Sequence, residues 1–298
     1  MYLIAGSTGY VGGLLADALA EAGDDVRCMA RSPERARGSF DSRCEIVRGD
    51  VLEPETLDTA LEGVELAYYL VHSMGRGGDS DFVERDRTGA RNFAAAAERQ
   101  GVKRIVYLGG LGEGKSEHLR SRQETAEGLM STGVPVTYFR AAIVIGGGSE
   151  SLRTVAYLVK RLPVMLTPSW TKTRTQPIAV ADVIAYLSAA PDLPATSGRE
   201  IQIGGPDVTT YGGLLDLAAE AQGLTRRPRF GVPILSPSLS SHWIGLITPV
   251  DTGVARPLVE GLSTETIVED TAGMELFDVT GTPLKQAMRE AVPEALAS

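Results

Sequence analysis

The 298-residue chain has few cysteines, few tryptophans and no long uncharged stretch. Its two cysteines, Cys28 and Cys44, exclude a small scaffold held together by disulfide bonds, and so low a count predicts a reduced, cytoplasmic setting. Because the pair lacks metal-ligand spacing, we expect no metal site. No apolar run approaches the roughly 18 residues of a membrane span, so we expect no integral membrane association. The amino terminus has no basic segment, so we expect no signal peptide.

The chain also has fewer basic residues than acidic ones. Lys and Arg number 29 against 38 Asp and Glu, which gives a formal net charge of −9 at pH 7. Such a chain repels phosphate backbones, so we expect no nucleic-acid partner. With 43% hydrophobic and 22% charged residues, the composition is that of a well-packed globular protein. A small-molecule substrate is the partner we expect, and a homodimer stays open because nothing singles out a dimer face.

Short β-branched runs alternate with amphipathic segments along the first 140 or so residues. This alternation predicts βαβ units, and therefore an α/β fold with a doubly wound parallel sheet of the Rossmann type. The predicted strands are residues 2–5, 26–30, 45–47, 66–70, 104–108 and 136–139. The predicted helices are residues 11–22, 54–61, 82–100, 116–131 and 152–161.

A glycine-rich loop stands between the first predicted strand and the first predicted helix. Glycines let the backbone turn tightly and approach a ligand closely, and a helix amino terminus offers N–H groups and a positive dipole end to a pyrophosphate. The loop therefore predicts a dinucleotide cofactor, with a ligand-free glycine connection as the alternative. Its residues are Gly6, Ser7, Thr8, Gly9, Tyr10, Val11 and Gly12.

The end of the second predicted strand favours NADP(H) over NAD(H). An NAD-specific site usually places an acid there, which accepts hydrogen bonds from the ribose 2′-hydroxyl. Asp24 and Asp25 precede the strand and lie at its wrong end, whereas Arg31 directly follows it. A guanidinium in that position can pair with the 2′-phosphate of NADP(H). NAD(H) stays open, because a solvated Arg31 is the alternative.

Three features carry a family resemblance: the G-x-x-G-x-x-G spacing of the loop, Asp50-Val51 after the third strand, and Gly204-Gly205-Pro206 followed by Thr210 and Tyr211. They resemble the extended and atypical short-chain dehydrogenases/reductases, a large NAD(P)-binding group with a Rossmann fold. The resemblance implies that Asp50 and Val51 lie beside the adenine. Val71, His72, Ser73 and Arg140 are assigned to the same cofactor site.

Three longer segments are most similar to an atypical branch of that group. They are LAYYLVHSM at 66–74, HLRSRQETAE at 118–127 and TPSWTKTRTQPIAVADVI at 167–184. The branch includes NmrA-like regulators and the nucleotide-binding accessory subunit of respiratory complex I. Several of its members bind a nicotinamide cofactor without known turnover, so a dehydrogenase activity does not follow from the resemblance alone.

A smaller C-terminal region begins near Gly146, where the alternation of strands and helices loosens. We expect residues 1–145 to form the NAD(P)-binding Rossmann domain, with 177–204 returning to it. Residues 146–298 then form a smaller substrate-binding or cap domain. Aromatic surface with a few polar groups is typical of a small-molecule pocket, although each such residue is more often a core or rim residue. The assigned substrate-binding residues are Trp170, Arg174, Gln176 and Trp243.

The catalytic pair of the resembling family is missing. Its dehydrogenases use a tyrosine and a lysine four residues later, and none of the nine tyrosines here has lysine at that distance. His118 and Arg122 stand at the corresponding place, and Gly109-Gly110 replaces the usual serine. We hypothesise that His118 is the general acid and that Arg122 holds the substrate oxygen or the nicotinamide ribose. The alternative is that both lie on an exposed helix face.

His72 is a second acid–base candidate, because it follows the fourth predicted strand and would face the ligand crevice. Its alternative role is to pack beside the cofactor and hydrogen-bond to the backbone.

Two classes of function fit these observations. The first is NADPH-dependent reduction of a small carbonyl, enone or quinone-type substrate, in which another acid or water replaces the tyrosine. The second is a non-catalytic NADP(H)-binding redox sensor, regulator or assembly factor, for which catalytic residues are not needed. A third, a peripheral lipid-associated protein, rests on the proline-rich segment 233–250 and conflicts with the negative charge. We favour the first.

Overall fold

Seven parallel strands form the central sheet of the computed structural model, which describes residues 1–72, 82–112, 117–231 and 262–297. Of Phe82, Glu117, His118 and Leu166 it describes the backbone alone. Short two-stranded sheets accompany the central sheet. The strands of all these sheets, in chain order, are β1 (Tyr2–Ala5), β2 (Val26–Ala30), β3 (Glu45–Arg48), β4 (Leu66–Tyr69), β5 (Arg104–Gly110), β6 (Val136–Ala141), β7 (Val144–Ile145), β8 (Met165–Thr167), β9 (Arg174–Thr175), β10 (Ile178–Ala179), β11 (Glu200–Ile203), β12 (Thr209–Thr210) and β13 (Arg229–Gly231).

The order of strands across the sheet is β11-β6-β5-β4-β1-β2-β3, which is the Rossmann order extended by one strand. This confirms the predicted α/β fold. The helices are α1 (Tyr10–Ala22), α2 (Pro33–Ala36), α3 (Leu57–Leu61), α4 (Phe82–Arg99), α5 (Glu117–Leu129), α6 (Glu150–Arg161), α7 (Val180–Ala189), α8 (Tyr211–Ala221) and α9 (Leu284–Ala297). Short 3-10 turns cover Pro54–Thr56, Ser169–Lys172, Pro194–Thr196 and Met274–Leu276.

The two faces of the sheet are covered by different helices, because successive side chains of a strand point to opposite faces. On one face, Tyr68 and Phe139 belong to the same core cluster as the buried residues of α1 and α7. On the other, Tyr69 and Tyr107 cluster with the buried residues of α3, α4 and α5. Tyr69 meets Phe93 of α4 edge-on, with ring centroids 5.1 Å apart. Burial on both faces explains why the strands read as nearly continuous apolar runs.

A separate apolar cluster joins α6, α8 and α9. Asp182, in the first turn of α7, ties the approach to α9 to the sheet layer, because its carboxylate accepts hydrogen bonds from the backbone N–H and the hydroxyl of Thr282, both at 2.7 Å. Meanwhile β11 and α7 pack with the central sheet. The boundary near residue 145 and the return of 177–204 remain predictions.

Strand ends differ from the predicted ones where cross-strand pairing decides them. β5 and β6 each run two residues further than predicted, because Gly109 pairs with Arg140 and Gly110 with Ala141. The proline-rich segment 233–250 lies outside the described residues. In the described part of the chain, none of the helices combines the length and apolar character needed to span a bilayer.

Candidate cofactor and substrate site

The glycine loop is pressed against the end of β4. Gly6 has a φ of +90°, and a methyl group placed on it would lie 2.6 Å from the carbonyl carbon and oxygen of Leu70. A methyl group on Gly12 would overlap the carbonyl oxygen of Gly6. The Gly9 N–H closes the turn by donating to that same oxygen at 3.0 Å. Two of the loop glycines are therefore required by close backbone approach.

A dinucleotide pyrophosphate fits this cradle. Gly6, Gly9, Val11 and Gly12 line a cavity. Helix α1 begins at Tyr10, within the loop, so its first backbone N–H groups and its positive dipole end are available to an anion there. The loop would thus hold the phosphates through its backbone.

The polar side chains of the loop take different positions. Ser7 is fully buried and its hydroxyl donates to the carbonyl of Met29 at 3.0 Å, so this hydroxyl anchors the loop to β2. Thr8 is exposed. The Tyr10 ring lies against the glycine turn that follows β7: a methyl group on Gly148 would lie 2.6 Å from Tyr10 Cε2, and one on Gly146 would lie 2.5 Å from its hydroxyl oxygen. Tyr10 therefore joins the loop to the start of α6.

One cavity of about 540 Å³ runs from the glycine loop to the helices of the smaller region. The ends of β4, β5 and β6 form its middle, where Leu70, Leu108 and Leu111 give it apolar walls. Its far side is formed by α6 and α8 together with Trp170. The carboxyl ends of parallel strands are where open α/β sheets bind their ligands. The lining there also includes His72, Gly109, Gly110, Leu119 and Arg122.

Arg122 projects from α5 into the middle of the cavity, and its helix is fixed from two sides. The Tyr107 hydroxyl donates to the Arg122 carbonyl at 3.2 Å, and the buried Ser121 hydroxyl donates to Asp86 of α4 at 3.0 Å. A methyl group on Gly110 would lie 4.0 Å from Arg122 Cγ and 3.0 Å from Leu119 Cδ2. The missing side chain at Gly110 therefore makes room for Leu119, and Arg122 lies at van der Waals distance from the same position.

His72 lines the same cavity, and the Arg122 guanidinium decides its charge. The positive charge of Arg122 lowers the pKa of His72 from 6.5 to about 3, although the His72 side chain is exposed in the cavity. A hydrogen bond to the Leu70 backbone opposes the shift, so the ring nitrogen donates it to the Leu70 carbonyl. At neutral pH the His72 imidazole is therefore uncharged.

The other residues assigned to the cofactor lie in different places. Arg31 is exposed directly after β2. Asp50 accepts a hydrogen bond from the Leu52 N–H at 2.9 Å, and Val51 is buried. Val71 is half-buried at the end of β4, beside Gly6. Ser73 lies outside the described residues.

Arg140 braces the sheet edge. Its guanidinium donates to the carbonyls of Gly110 at 3.1 Å and Gly112 at 2.8 Å, and it pairs with Glu200 at 2.7 Å. Within the described part of the chain it does not line the cavity. Arg140 therefore holds the turn after β5, on which the site residues depend.

The residues assigned to the substrate are only partly brought together. Trp170 lines the cavity and meets Tyr211 edge-on, with centroids 6.2 Å apart. Arg174 is exposed on β9. The Gln176 amide donates to the Gly205 carbonyl at 2.8 Å and accepts from the Val268 N–H at 3.0 Å, so it joins two chain segments. Trp243 lies outside the described residues, as does the side chain of His118, whose backbone stands in the first turn of α5.

Sequence reasoning missed the apolar far wall of the cavity. Val155 and Leu158 of α6 and Leu215 of α8 line it. Their helical spacing indicates only that each helix has an apolar face. The fold is needed to show that these faces surround a cavity.

Comparison with known proteins identifies the family. Residues 6–140 match the NAD(P)H-binding family. The chain is 31% identical over 222 residues, 70% of each protein, to the (4-alkanoyl-5-oxo-2,5-dihydrofuran-3-yl)methyl phosphate reductase of Streptomyces griseus subsp. griseus. It is 24% identical to the mitochondrial NADH dehydrogenase (ubiquinone) 1 alpha subcomplex subunit 9 of Arabidopsis thaliana, over 90% of this chain and 70% of the relative.

Solved structures share the fold. The NADPH-dependent quinone oxidoreductase of Escherichia coli, in complex with NADPH, superposes with a TM-score of 0.76 at 18% identity, covering 99% of this chain and 100% of that one. The matched segment and the Streptomyces griseus relative show that the chain belongs to the NAD(P)H-binding family.

Proposed function

We propose that the protein is an NADPH-dependent reductase of a small carbonyl, enone or quinone-type compound. One observation carries the proposal: a single cavity joins the glycine loop to Arg122 and His72 and continues into an apolar chamber. Such an arrangement provides a cofactor site, a polar reacting centre and room for a substrate in one line.

Arg31 supports NADP(H) as the cofactor. It is exposed at the carboxyl end of β2, where its guanidinium is free to turn towards a 2′-phosphate. The solved quinone oxidoreductase of the same fold was crystallised with NADPH. NAD(H) is the alternative that a direct affinity comparison decides.

The chemistry assigns distinct tasks to the residues of the chain. A bound reduced nicotinamide supplies a hydride to an electron-poor carbon of the substrate. Arg122 then stabilises the negative charge that develops on the substrate oxygen, because a guanidinium remains charged and offers fixed N–H donors. Leu70, Leu108 and Leu111 limit the water around this oxygen and so strengthen the interaction.

The proton that completes the product comes from water in this proposal. Arg122 cannot release a proton, since a guanidinium is not deprotonated in proteins. The uncharged His72 uses its N–H on the Leu70 backbone. His72 therefore has a structural role on the polar side of the site. Water protonates the substrate oxygen after Arg122 has stabilised its negative charge.

The relatives support reduction of this kind of group. The Streptomyces griseus relative is named a reductase of a methyl phosphate compound that carries alkanoyl and oxo groups. The Escherichia coli neighbour is named a quinone oxidoreductase. Both names fall within the substrate types proposed for this chain.

A non-catalytic NADP(H)-binding role is the second candidate, and Gly110 is the observation that favours it. At this position the family usually supplies a serine that holds the substrate oxygen, and here no side chain is present. The Arabidopsis thaliana relative is named a subunit of NADH dehydrogenase. A redox sensor or assembly factor would need the cavity only for its cofactor.

Calorimetric titration with NADPH and NADH, followed by NADPH oxidation against a panel of carbonyls, enones and quinones, tests the proposal. We expect NADPH binding with turnover, and a fall of about 10²- to 10³-fold in kcat for Arg122→Gln, the usual effect of removing one oxyanion donor. Arg120→Gln is the matched control, because Arg120 is exposed on the same helix beside Glu124. Binding without turnover would support the second function, and no binding of either nucleotide would contradict both.

A further inference from the structure

We infer that the substrate is an uncharged carbonyl compound with an extended apolar body, and that this body lies between α6 and α8. The inference rests on the proposed function, since it concerns the far end of the same cavity. It adds a substrate shape and two residues that set it, Leu158 and Leu215.

The wall formed by α6 changes from polar to apolar along its length. Ser151, Thr154, Val155 and Leu158 line the cavity, and their spacing places them on one face of the helix. Ser151 and Thr154 lie nearest the glycine turn that contacts Tyr10, and Val155 and Leu158 follow further along. From Ser151 to Leu158 the helix rises by roughly 10 Å, at about 1.5 Å per residue. An extended body can therefore leave the polar centre and run along an increasingly apolar wall.

The opposite wall, on α8, is apolar as well. Tyr211 and Leu215 line the cavity one helical turn apart. Tyr211 is 8% exposed, and its hydroxyl is hydrogen-bonded to Thr175 and Thr266. The ring of Tyr211 is therefore the part that remains for a ligand. Trp170 packs edge-on against this ring and extends the aromatic surface.

The charged residues that line the cavity are few, and their positions exclude a substrate whose extended body carries a charge. Among the described lining residues, Arg122 and Glu150 carry formal charges at neutral pH. Arg122 belongs to the reacting centre, whereas Glu150 stands in the first turn of α6 and pairs with Arg153 at 3.7 Å. A carboxylate or phosphate on the body of the substrate would enter a chamber whose described lining residues beyond the reacting centre include no cation. Burying such a charge without a partner is costly, so the body is uncharged.

Aldehydes of increasing chain length, reduced with NADPH, test this inference. We expect kcat/KM to rise about fourfold for each added methylene, the value expected for burying one methylene group, until the chamber is filled. Leu158→Phe should shorten the chamber and remove this gain for long aldehydes. The control is Leu217→Phe, because Leu217 packs in the same cluster but does not line the described cavity. A second variant on the same lining face, Val155→Phe, covers the case in which Leu158→Phe fails to fold.

A binding experiment separates this inference from the proposed function. An uncharged naphthylamine dye is displaced from the NADP⁺ complex by primary alcohols and by carboxylates of matching length. We expect affinity for the alcohols to rise with length, to fall in Leu158→Phe, and to exceed that for carboxylates at least tenfold. This result without aldehyde reduction would contradict the proposed function and support the apolar chamber. Reduction with no dependence on length, or equal affinity for carboxylates, would overturn the inference.

Discussion

Arg122 and His72 face one cavity from α5 and from the end of β4, and the guanidinium of the first keeps the imidazole of the second uncharged. We expect His72 to show no titration between pH 5 and 8, because its pKa is lowered to about 3. In Arg122→Gln the pKa should return towards 6.5. Nuclear magnetic resonance titration can resolve this, since the chain has three histidines and His72→Asn assigns the signal. A His72 pKa near 6.5 in the unchanged protein would contradict the expectation.

The same shift predicts how stability depends on pH. The His72 imidazole binds a proton at pH 6.5 and below when the chain is unfolded, but only near pH 3 when it is folded. Since the unfolded chain binds more protons within this window, the contribution of His72 to stability is present above pH 6.5 and is lost as the pH falls towards 3. Urea unfolding of the protein and of His72→Asn at pH 7 and pH 4.5 should show a smaller loss in the variant. Equal losses would show that His72 is not the group responsible.

The contact between Tyr10 and the glycine turn predicts a cofactor-binding defect. Gly148→Ala places a methyl group on the Tyr10 ring, so the ring or the turn must move. At a typical overpacking cost of about 1–3 kcal/mol, we expect NADPH affinity to fall roughly 5- to 150-fold. Calorimetry measures the change. The control is Gly231→Ala, where the added methyl group meets no atom of the described residues within 4 Å, and a Gly148→Ala affinity like that of the control would refute the role of this contact.

Arg31 predicts the cofactor preference. Arg31→Ala should weaken NADPH binding about 10- to 150-fold, the value of a charge-assisted hydrogen bond of about 1.5–3 kcal/mol, and should leave NADH binding unchanged. Arg43→Ala is a matched control, since Arg43 is exposed and paired with Asp41 at 2.8 Å. Both affinities come from the same calorimetric titration. If NADPH and NADH weaken equally, Arg31 does not read the 2′-phosphate.

Replacing Asp182, which lies away from the cavity, should lower the stability of the fold. It is 5% exposed and accepts two hydrogen bonds from Thr282. Asp182→Ala leaves a half-buried N–H without its acceptor, so we expect a loss of about 1–3 kcal/mol in the free energy of unfolding. Chemical denaturation measures it. Asp192→Ala is the control, because Asp192 is exposed, and it should change stability by less than about 0.5 kcal/mol.

Local patterns were sufficient for most of the fold. Strand β1 and helix α1 have the expected bounds to within one residue, because a short apolar run and a 3.6-residue period are local signals. Gly23 ends α1 with a φ of +93°, as a glycine at this position predicts. Pairing across the sheet added the last two residues of β5 and of β6.

The candidate site was predictable only where a motif carries its own geometry. The glycine loop is such a motif, and the spacing that singled out Arg122 led to a residue that lines the cavity. Arg140 and Gln176 were assigned to ligands from their types and positions. In the structure, backbone carbonyls converge on Arg140, and two chain segments meet at Gln176. A side chain that binds backbone and one that binds ligand look alike in a sequence.

The sequence by itself determined the Rossmann sheet, the glycine loop and the absence of the usual tyrosine–lysine pair, because strand alternation, helical period and residue spacing act within short stretches of chain. Only the tertiary structure decided that Arg122 sets the charge of His72, and that the apolar faces of α6 and α8 meet across one cavity. These contacts join residues that are 50 or more positions apart. Their electrostatics and packing depend on how the elements are placed in space, which no local pattern records.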